Sequence, residues 1–330
     1  MAGDSPQPAI SVVVPTRGRP AMLRRCLAAL ARQDAGGMPF EVMVVDDGPD
    51  DATREVVTQQ INNSTNQQMT ICYIPAGPGR GPAAARNVGW RAARAEFVAF
   101  TDDDCVPLRT WLAAGLEALR QGAAGACGQV TVPVPERPTD YERDVSGLQR
   151  SLFVTANCFY RRHALEAIGG FDTRFAIAWR EDSDLFFGML ERGVPLVFLP
   201  AAVVVHPVRP APWGISVRQQ RRNLFNALLY KKHPGLYRQR VQPRPPLAYY
   251  GVVALLAVAL VAVVAGFPVA AIAAGAGWLA WTLRFSLRRL RGTSPAGRHV
   301  AEMIVTSALI PPLAVFWRLA GAARFRVFFF

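Results

Sequence analysis

Apolar residues along the first hundred positions come in short runs separated by amphipathic stretches. Ile10 to Val14 is a β-branched run closed by Pro15, and Ala21 to Gln33 then carries Met22, Leu23, Cys26, Leu27 and Leu30 at helical spacing. Val42 to Val45 repeats the pattern and ends in Asp46-Asp47-Gly48-Pro49, ahead of a helical segment from Ala52 to Gln60. Ile71 to Ile74 predicts a third strand, Pro75 to Pro82 a Gly/Pro-rich loop, Ala83 to Ala95 an alanine-rich helix and Phe97 to Thr101 a fourth strand. Strands and helices alternating at these lengths predict a parallel sheet with helices on both faces. Ligands of such sheets bind beyond the carboxyl ends of the strands. Three of those ends carry polar residues, Thr16-Arg17, Asp46-Asp47 and Asp102-Asp103-Asp104, which are expected to converge on one site.

From Trp111 to Pro207 the pattern is less regular. It predicts a helix at Trp111 to Gln121, a strand at Ala126 to Val132, and a polar, Pro-rich stretch at Pro133 to Asp144. An apolar segment at Leu152 to Tyr160 precedes a helix at Arg162 to Ile168 that Gly169-Gly170 ends. Glu181 to Arg192 reads as helix and Leu196 to His206 as strand. No internal repeat is visible.

Leu247 to Leu283 is 37 positions without a charge. A bilayer-crossing helix needs roughly 20 residues, so the run predicts two spans, about 247–267 and 269–283, turning near Pro268. The second is short unless it continues past Arg284. A third apolar segment, about 300–319, holds Glu302, Pro311-Pro312 and Arg318, and is read either as a span or as an interfacial helix. The domain reading is therefore residues 1–235 catalytic and 236–330 membrane region.

Charge supports this division. The net charge is +13, yet eleven arginines and one acid from Leu236 onward contribute +10, leaving the first portion near neutral. Those arginines flank apolar runs and form no basic patch interleaved with stacking aromatics, which argues for membrane lipids as partner and against nucleic acid. Arg238, Arg240 and Arg244 stand before the apolar hairpin, and Arg284, Arg288, Arg289 and Arg291 after it. The positive-inside tendency then places both flanks, and the catalytic domain, on the cytoplasmic face of a multi-pass cell-membrane protein. The N-terminus lacks a basic start followed by an apolar stretch, so no signal peptide is expected. Five scattered cysteines, with no paired spacing, suit a reduced compartment.

Against this background, three adjacent aspartates at a buried strand end need a compensating partner, because packed carboxylates raise one another's pKa. A divalent ion with oxygen ligands, Mn²⁺ or Mg²⁺, answers that need. The other acids also have plain readings. Asp46-Asp47-Gly48 makes a turn in which Asp bonds nearby amides, Glu181-Asp182 are early-helix acids favoured by the helix dipole, and Arg86 is a solvated helix residue.

The stretches SVVVPTRGRP, VVDDGPDD, AAARNVGWRAARAEFVAFTDDDC, GGFDTRF, AWREDSDL and VVVHP, in this order over roughly residues 9 to 230, resemble the family 2 glycosyltransferases. That resemblance implies an α/β fold of GT-A type, a nucleotide-diphospho-sugar transferase with a Rossmann-like mixed sheet, followed here by C-terminal transmembrane or interfacial helices. It also implies a nucleotide-sugar donor whose diphosphate is held by a metal at a D-x-D motif, which falls on Asp102 to Asp104. Asp104 is then the main metal ligand and Asp102 serves the metal or the ribose. Asp103 is grouped with the donor-binding residues, though it has the option of pointing away. His206, at the H-P position, completes the metal shell. Asp46 bonds the base, Pro15, Thr16 and Arg17 line base and ribose, and Arg86 faces the nucleotide or diphosphate.

By the same resemblance Asp182 is the general base, deprotonating an acceptor hydroxyl as it attacks the anomeric carbon, and Glu181 orients the site. One displacement inverts the configuration. Gln219-Gln220-Arg221-Arg222-Asn223 has Asn223 where processive synthases carry a Trp in the acceptor channel, so transfer of one sugar is expected rather than polymer extrusion. The acceptor is read as lipid-linked or a cell-envelope glycan. The alternatives are a polyprenyl-phosphate sugar synthase, a nucleotidyltransferase, and a tethered binding module without catalysis. Donor sugar, base and oligomeric state are not legible.

Overall fold

The computed structural model describes residues 7–329. The chain forms two compact units, one running to Pro133 and resuming over Gly147–Pro207, the other made of Val134–Ser146 and Val208–Phe330. The Pro-rich stretch after Val132, read from sequence as part of the catalytic portion, thus belongs with the C-terminal helices.

The first unit is built on one eight-stranded sheet: β1 (Ile10–Thr16), β2 (Phe40–Asp46), β3 (Met69–Pro75), β4 (Phe97–Phe100), β5 (Val106–Pro107), β6 (Gly125–Thr131), β7 (Cys158–Arg161) and β8 (Leu196–Val205). Their order is β3-β2-β1-β4-β7-β6-β8-β5. The first four strands are parallel, as their alternation with the helices Pro20–Leu30, Asp51–Asn63 and Pro82–Ala92 predicts. The remainder is mixed: β7 runs antiparallel to β4 and β6, β6 and β8 are parallel, and β5 is antiparallel to β8. An all-parallel sheet therefore describes only the first half. β1 and β2 are buried at every position, which matches central strands covered on both faces.

Pro15 does not close β1 as its missing N–H suggested. In a parallel ladder successive residues bond alternate neighbours. Val13 accepts from Thr101 on the β4 side and Thr16 from Asp47 on the β2 side. Pro15 shares the parity of Val13, so it faces the side where β4 has already ended at Phe100, and no ladder bond is lost.

The second unit is helical. Its longest elements are Leu247–Val264, Pro268–Leu290 and Gly297–Phe325. Among the described residues two helices, Leu247–Val264 and Gly297–Phe325, are long and apolar enough to cross a membrane. The middle helix continues past Arg284 to Leu290, and the last runs unbroken through Pro311-Pro312. Arg289, read from sequence as a membrane-flanking charge, is buried instead. Its guanidinium donates to Asp140 Oδ2 (2.7 and 3.2 Å), Thr306 Oγ1 (2.7 Å), Ser307 Oγ (3.1 Å) and Ser216 Oγ (3.1 Å). Asp140 lies on the Asp140–Ser146 helix, which explains why the Pro-rich stretch joins this unit.

Candidate active site

Strand register assembles the acidic edge. Thr16 is paired with Asp46 across β1 and β2, and the backbone leaves β4 beside Val13, so Asp102 to Asp104 emerge next to the end of β1. Asp103 turns into the protein and is fully buried. Its Oδ2 accepts from Thr16 Oγ1 at 2.7 Å, and its Oδ1 forms an ion pair with Arg19 at 2.9 Å, although not in hydrogen-bonding alignment. Burial pushes the Asp103 carboxyl up to about 7; Arg19 and Thr16 pull it down, and Asp104 and Asp102 push it further up. The Thr16 hydroxyl is spent on this contact. Pro15 is buried beside it, and Arg17 is exposed with its side chain against Gly48 and Gly79.

A second pairing brings in a residue about a hundred positions away. Val106 of β5 pairs antiparallel with Val205 of β8, so one step outward Cys105 comes opposite His206. His206 Nε2 lies 3.7 Å from Asp104 Oδ1, and one ligand atom from each of Asp104, Cys105 and His206 falls within 4.8 Å of the others. His206 Nδ1 is buried without a hydrogen-bond partner among the described residues. A carboxylate, an imidazole and a thiol at this spacing fit a divalent cation.

Arg86 links this edge to the other acids. From the Pro82–Ala92 helix it donates through NH2 to Asp102 Oδ1 at 2.7 Å and through NH1 to Glu181 Oε1 at 3.0 Å. It is buried, not solvated; Asp102 stays about one quarter exposed. Burial works against ionisation of Asp102, but the Arg86 charge and hydrogen bond outweigh it and hold the carboxyl below its ordinary range. The entry to this helix is clamped by Asp47, which accepts from Arg80 N and Gly81 N, both at 2.8 Å. Asp47 thus bonds amides of a distant loop, not of its own turn. Gly81 has φ +93°, and a Cβ there would stand 2.5 Å from Ala176 O, so only glycine fits.

Glu181 and Asp182 open the Glu181–Glu191 helix directly after Arg180, which adopts a left-handed conformation (φ 76°) with its guanidinium 4.6 Å over the Trp179 ring. Glu181 is buried. Burial raises its carboxyl to about 7, Asp182 adds to the shift and Arg86 opposes it. Asp182 is half-buried, and its Oδ1 accepts from Ser183 N at 2.6 Å. Asp46 is fully buried; its Oδ2 accepts from Tyr73 Oη at 2.8 Å while Oδ1 has no hydrogen-bond partner among the described residues.

The structure therefore brings Asp102, Asp103, Asp104 and His206 together, joins Asp102 to Glu181 through Arg86, and sets Asp46 at the neighbouring strand end. Sequence reasoning missed Arg19, Asp47 as a loop clamp, Tyr73 and Cys105. Arg19 and Cys105 stood inside motifs already quoted; Tyr73, an ordinary strand residue by pattern, carried no signal.

The chain matches known proteins in sequence and in fold. A profile described as glycosyl transferase family 2 matches residues 11–178, and one described as glycosyl transferase family group 2 matches residues 98–317. The chain is 27% identical over 229 residues to glycosyltransferase AglE of Haloferax volcanii, covering 65% of this chain and 71% of that protein. It is 30% identical over 216 residues to the pre-mycofactocin glycosyltransferase of Mycobacterium tuberculosis, covering 61% and 43%. It is 44% identical over 96 residues to validoxylamine A glucosyltransferase of Streptomyces hygroscopicus subsp. limoneus, covering 29% and 20%. The chain thus spans less than half the length of the last two. A solved mannosyltransferase of Pyrobaculum calidifontis, in complex with GDP-Man and Mn²⁺, superposes with a TM-score of 0.59 at 21% identity over 96% of this chain and 88% of that one, which shows a shared fold of GT-A type. With profile matches running from the first strand into the C-terminal helices, the chain belongs to glycosyl transferase family 2 and is a glycosyltransferase.

Proposed function

We propose that the chain transfers one sugar from a nucleotide-sugar donor to a lipid-linked or cell-envelope glycan acceptor, with inversion, at the cytoplasmic face of a membrane. The observation that supports it most is Arg86, buried between Asp102 and Glu181, because it ties the acids read as donor-binding to the pair read as catalytic. Asp104 and His206, with Asp102 at the metal or ribose, hold a divalent cation; when bound, the cation offsets charge building on the leaving diphosphate. Asp46 meets the base, and Thr16 and Asp103 act from within by placing Arg19 and the end of β1. Arg17 lines the open side.

Asp182 takes the proton of the acceptor hydroxyl. Glu181, whose carboxyl sits near 7, is poorly suited to remain a fixed anion; it orients Arg86 and the helix start. The second unit supplies the membrane contact. Leu247–Val264 buries Val252 and Ala262 but leaves much of its apolar surface exposed, Val264 at 90% included, and that surface is stable against lipid but not against water. The catalytic portion is read as ending near residue 235 and the membrane portion as following it. Nothing in the site favours nucleotidyl transfer.

Asp182→Asn tests the reading. Transfer is expected to fall by about 10²–10⁴-fold with donor binding nearly unchanged, measured by product formation and by donor titration. Retained turnover would remove Asp182 as the base.

A further inference from the structure

The strand pairing that carries His206 to the acidic edge carries a sulfur with it. β5 and β8 are antiparallel with Val106 opposite Val205, so one step outward Cys105 stands opposite His206. Residues directly opposite each other on antiparallel strands send their side chains to the same face. Asp104, next in the chain, reaches the same place through its carboxylate: its Oδ1 lies 3.7 Å from His206 Nε2 and 3.8 Å from Cys105 Sγ. All three residues are buried, Cys105 fully.

This spacing is that of ligand atoms around one ion. In a tetrahedral site with bonds of about 2.0–2.1 Å to nitrogen or oxygen and about 2.3 Å to sulfur, ligand atoms stand about 3.3–3.6 Å apart. The two separations from Asp104 Oδ1 exceed that by a few tenths of an ångström, a gap that small side-chain rotations close, and the three ligand atoms all lie within 4.8 Å of one another. A thiol also donates a weak hydrogen bond to Asp104, but a serine hydroxyl would do that better. What sulfur adds is a soft ligand beside a carboxylate and an imidazole.

We propose that Cys105 is a third protein ligand of the cation, bound as the thiolate, so that the site takes a thiophilic ion such as Zn²⁺ or Co²⁺ far more tightly than Mn²⁺ or Mg²⁺. This rests on the reading that Asp104 and His206 hold a divalent cation. As the ion binds, the thiol proton leaves to solvent and a sulfur lone pair forms the metal–sulfur bond; no electron is transferred. Three protein ligands leave room for a further ligand, the pattern of catalytic sites and not of closed structural ones, and a diphosphate oxygen is of the right chemistry to fill it.

Titration of the full chain in detergent with Co²⁺, without nucleotide, tests this by absorption. A cobalt–thiolate bond gives a near-ultraviolet charge-transfer band that carboxylate and imidazole ligands do not produce. The wild type is expected to show that band, and Cys105→Ser to lose it while keeping the weaker visible bands of bound cobalt. Zn²⁺ binds tighter than Mn²⁺ at most nitrogen and oxygen sites, so the change in preference carries the information: Cys105→Ser is expected to weaken Zn²⁺ about a hundredfold and Mn²⁺ by no more than about threefold. The small effect on Mn²⁺ also shows that the variant is folded, and the wild-type spectrum is decisive without it. Bound cobalt without the charge-transfer band in the wild type, or the same band in Cys105→Ser, overturns the proposal; Asp104 and His206 remain the cation site if Asp104→Ala abolishes cobalt binding. Cobalt that does not bind the wild type, or binds Asp104→Ala as tightly, removes the cation reading itself, and the proposal with it.

Discussion

Arg86 in the sheet unit and Arg289 in the helical unit are both buried against acids, and the two are finished differently. Arg289, in the helical unit, has all three guanidinium nitrogens engaged, by Asp140, Thr306, Ser307 and Ser216. Arg86, in the sheet unit, is bonded at NH1 and NH2, but its Nε, Glu181 Oε2, Asp46 Oδ1 and His206 Nδ1 find no hydrogen-bond partner among the described residues. Buried polar groups are normally paired, and those left unpaired are expensive. A network that leaves several valences open together at a strand edge is shaped for a ligand that completes it.

Removing each arginine should separate the two roles. Arg86→Met is expected to lower transfer about a thousandfold, roughly 4 kcal/mol in the barrier. Arg289→Met is expected to cost about 3–5 kcal/mol of stability, read as a lowered melting temperature in detergent micelles, with the transfer rate of the surviving fold little changed. The double change Arg289→Met with Asp140→Leu should recover most of that loss, since an apolar pair replaces a buried ion pair well. No apolar pair at Arg86 and Glu181 should restore transfer. If stability and activity respond alike at both arginines, the distinction between closed and open networks fails.

A smaller effect concerns the open valences themselves. Mn²⁺ at about a hundred times its dissociation constant should stabilise the wild type by about 2.7 kcal/mol, and Asp104→Ala should abolish that gain. An equal thermal shift in the variant would place the ion elsewhere. The smallest effect is a pH slope. Glu181 holds its proton up to about 7 when folded and releases it near 4.5 when unfolded, so its contribution is most favourable below 4.5 and declines as pH rises toward 7. Glu181→Gln should flatten the fall in melting temperature over that window; an unchanged slope would mean that other groups produce it.

Legibility in the sequence followed the range of the interactions. The first four strands, the helix stop at Gly169 and the start of the Glu181–Glu191 helix are local events, set by periodicity, φ preference and turn chemistry, and they were readable. Errors arose where a neighbour decided the outcome. Pro15 looked like a strand end because nothing local says that β4 stops short of it, and Asp47 looked like a turn residue because its amide partners lie more than thirty positions away. Arg289 looked like a flanking charge because Asp140 is 149 residues distant in sequence.

The sequence by itself determined the family and the candidate residues, since motif order and residue chemistry are properties of the chain alone. Only the tertiary structure decided what each residue does with its valences. Asp103 turns inward because Thr16 and Arg19 hold it there, Cys105 meets His206 because β5 pairs with β8, and Asp46 accepts through Oδ2 because β3 delivers Tyr73 to it. Those outcomes depend on sheet register, which couples residues tens to a hundred positions apart and leaves no trace in local pattern.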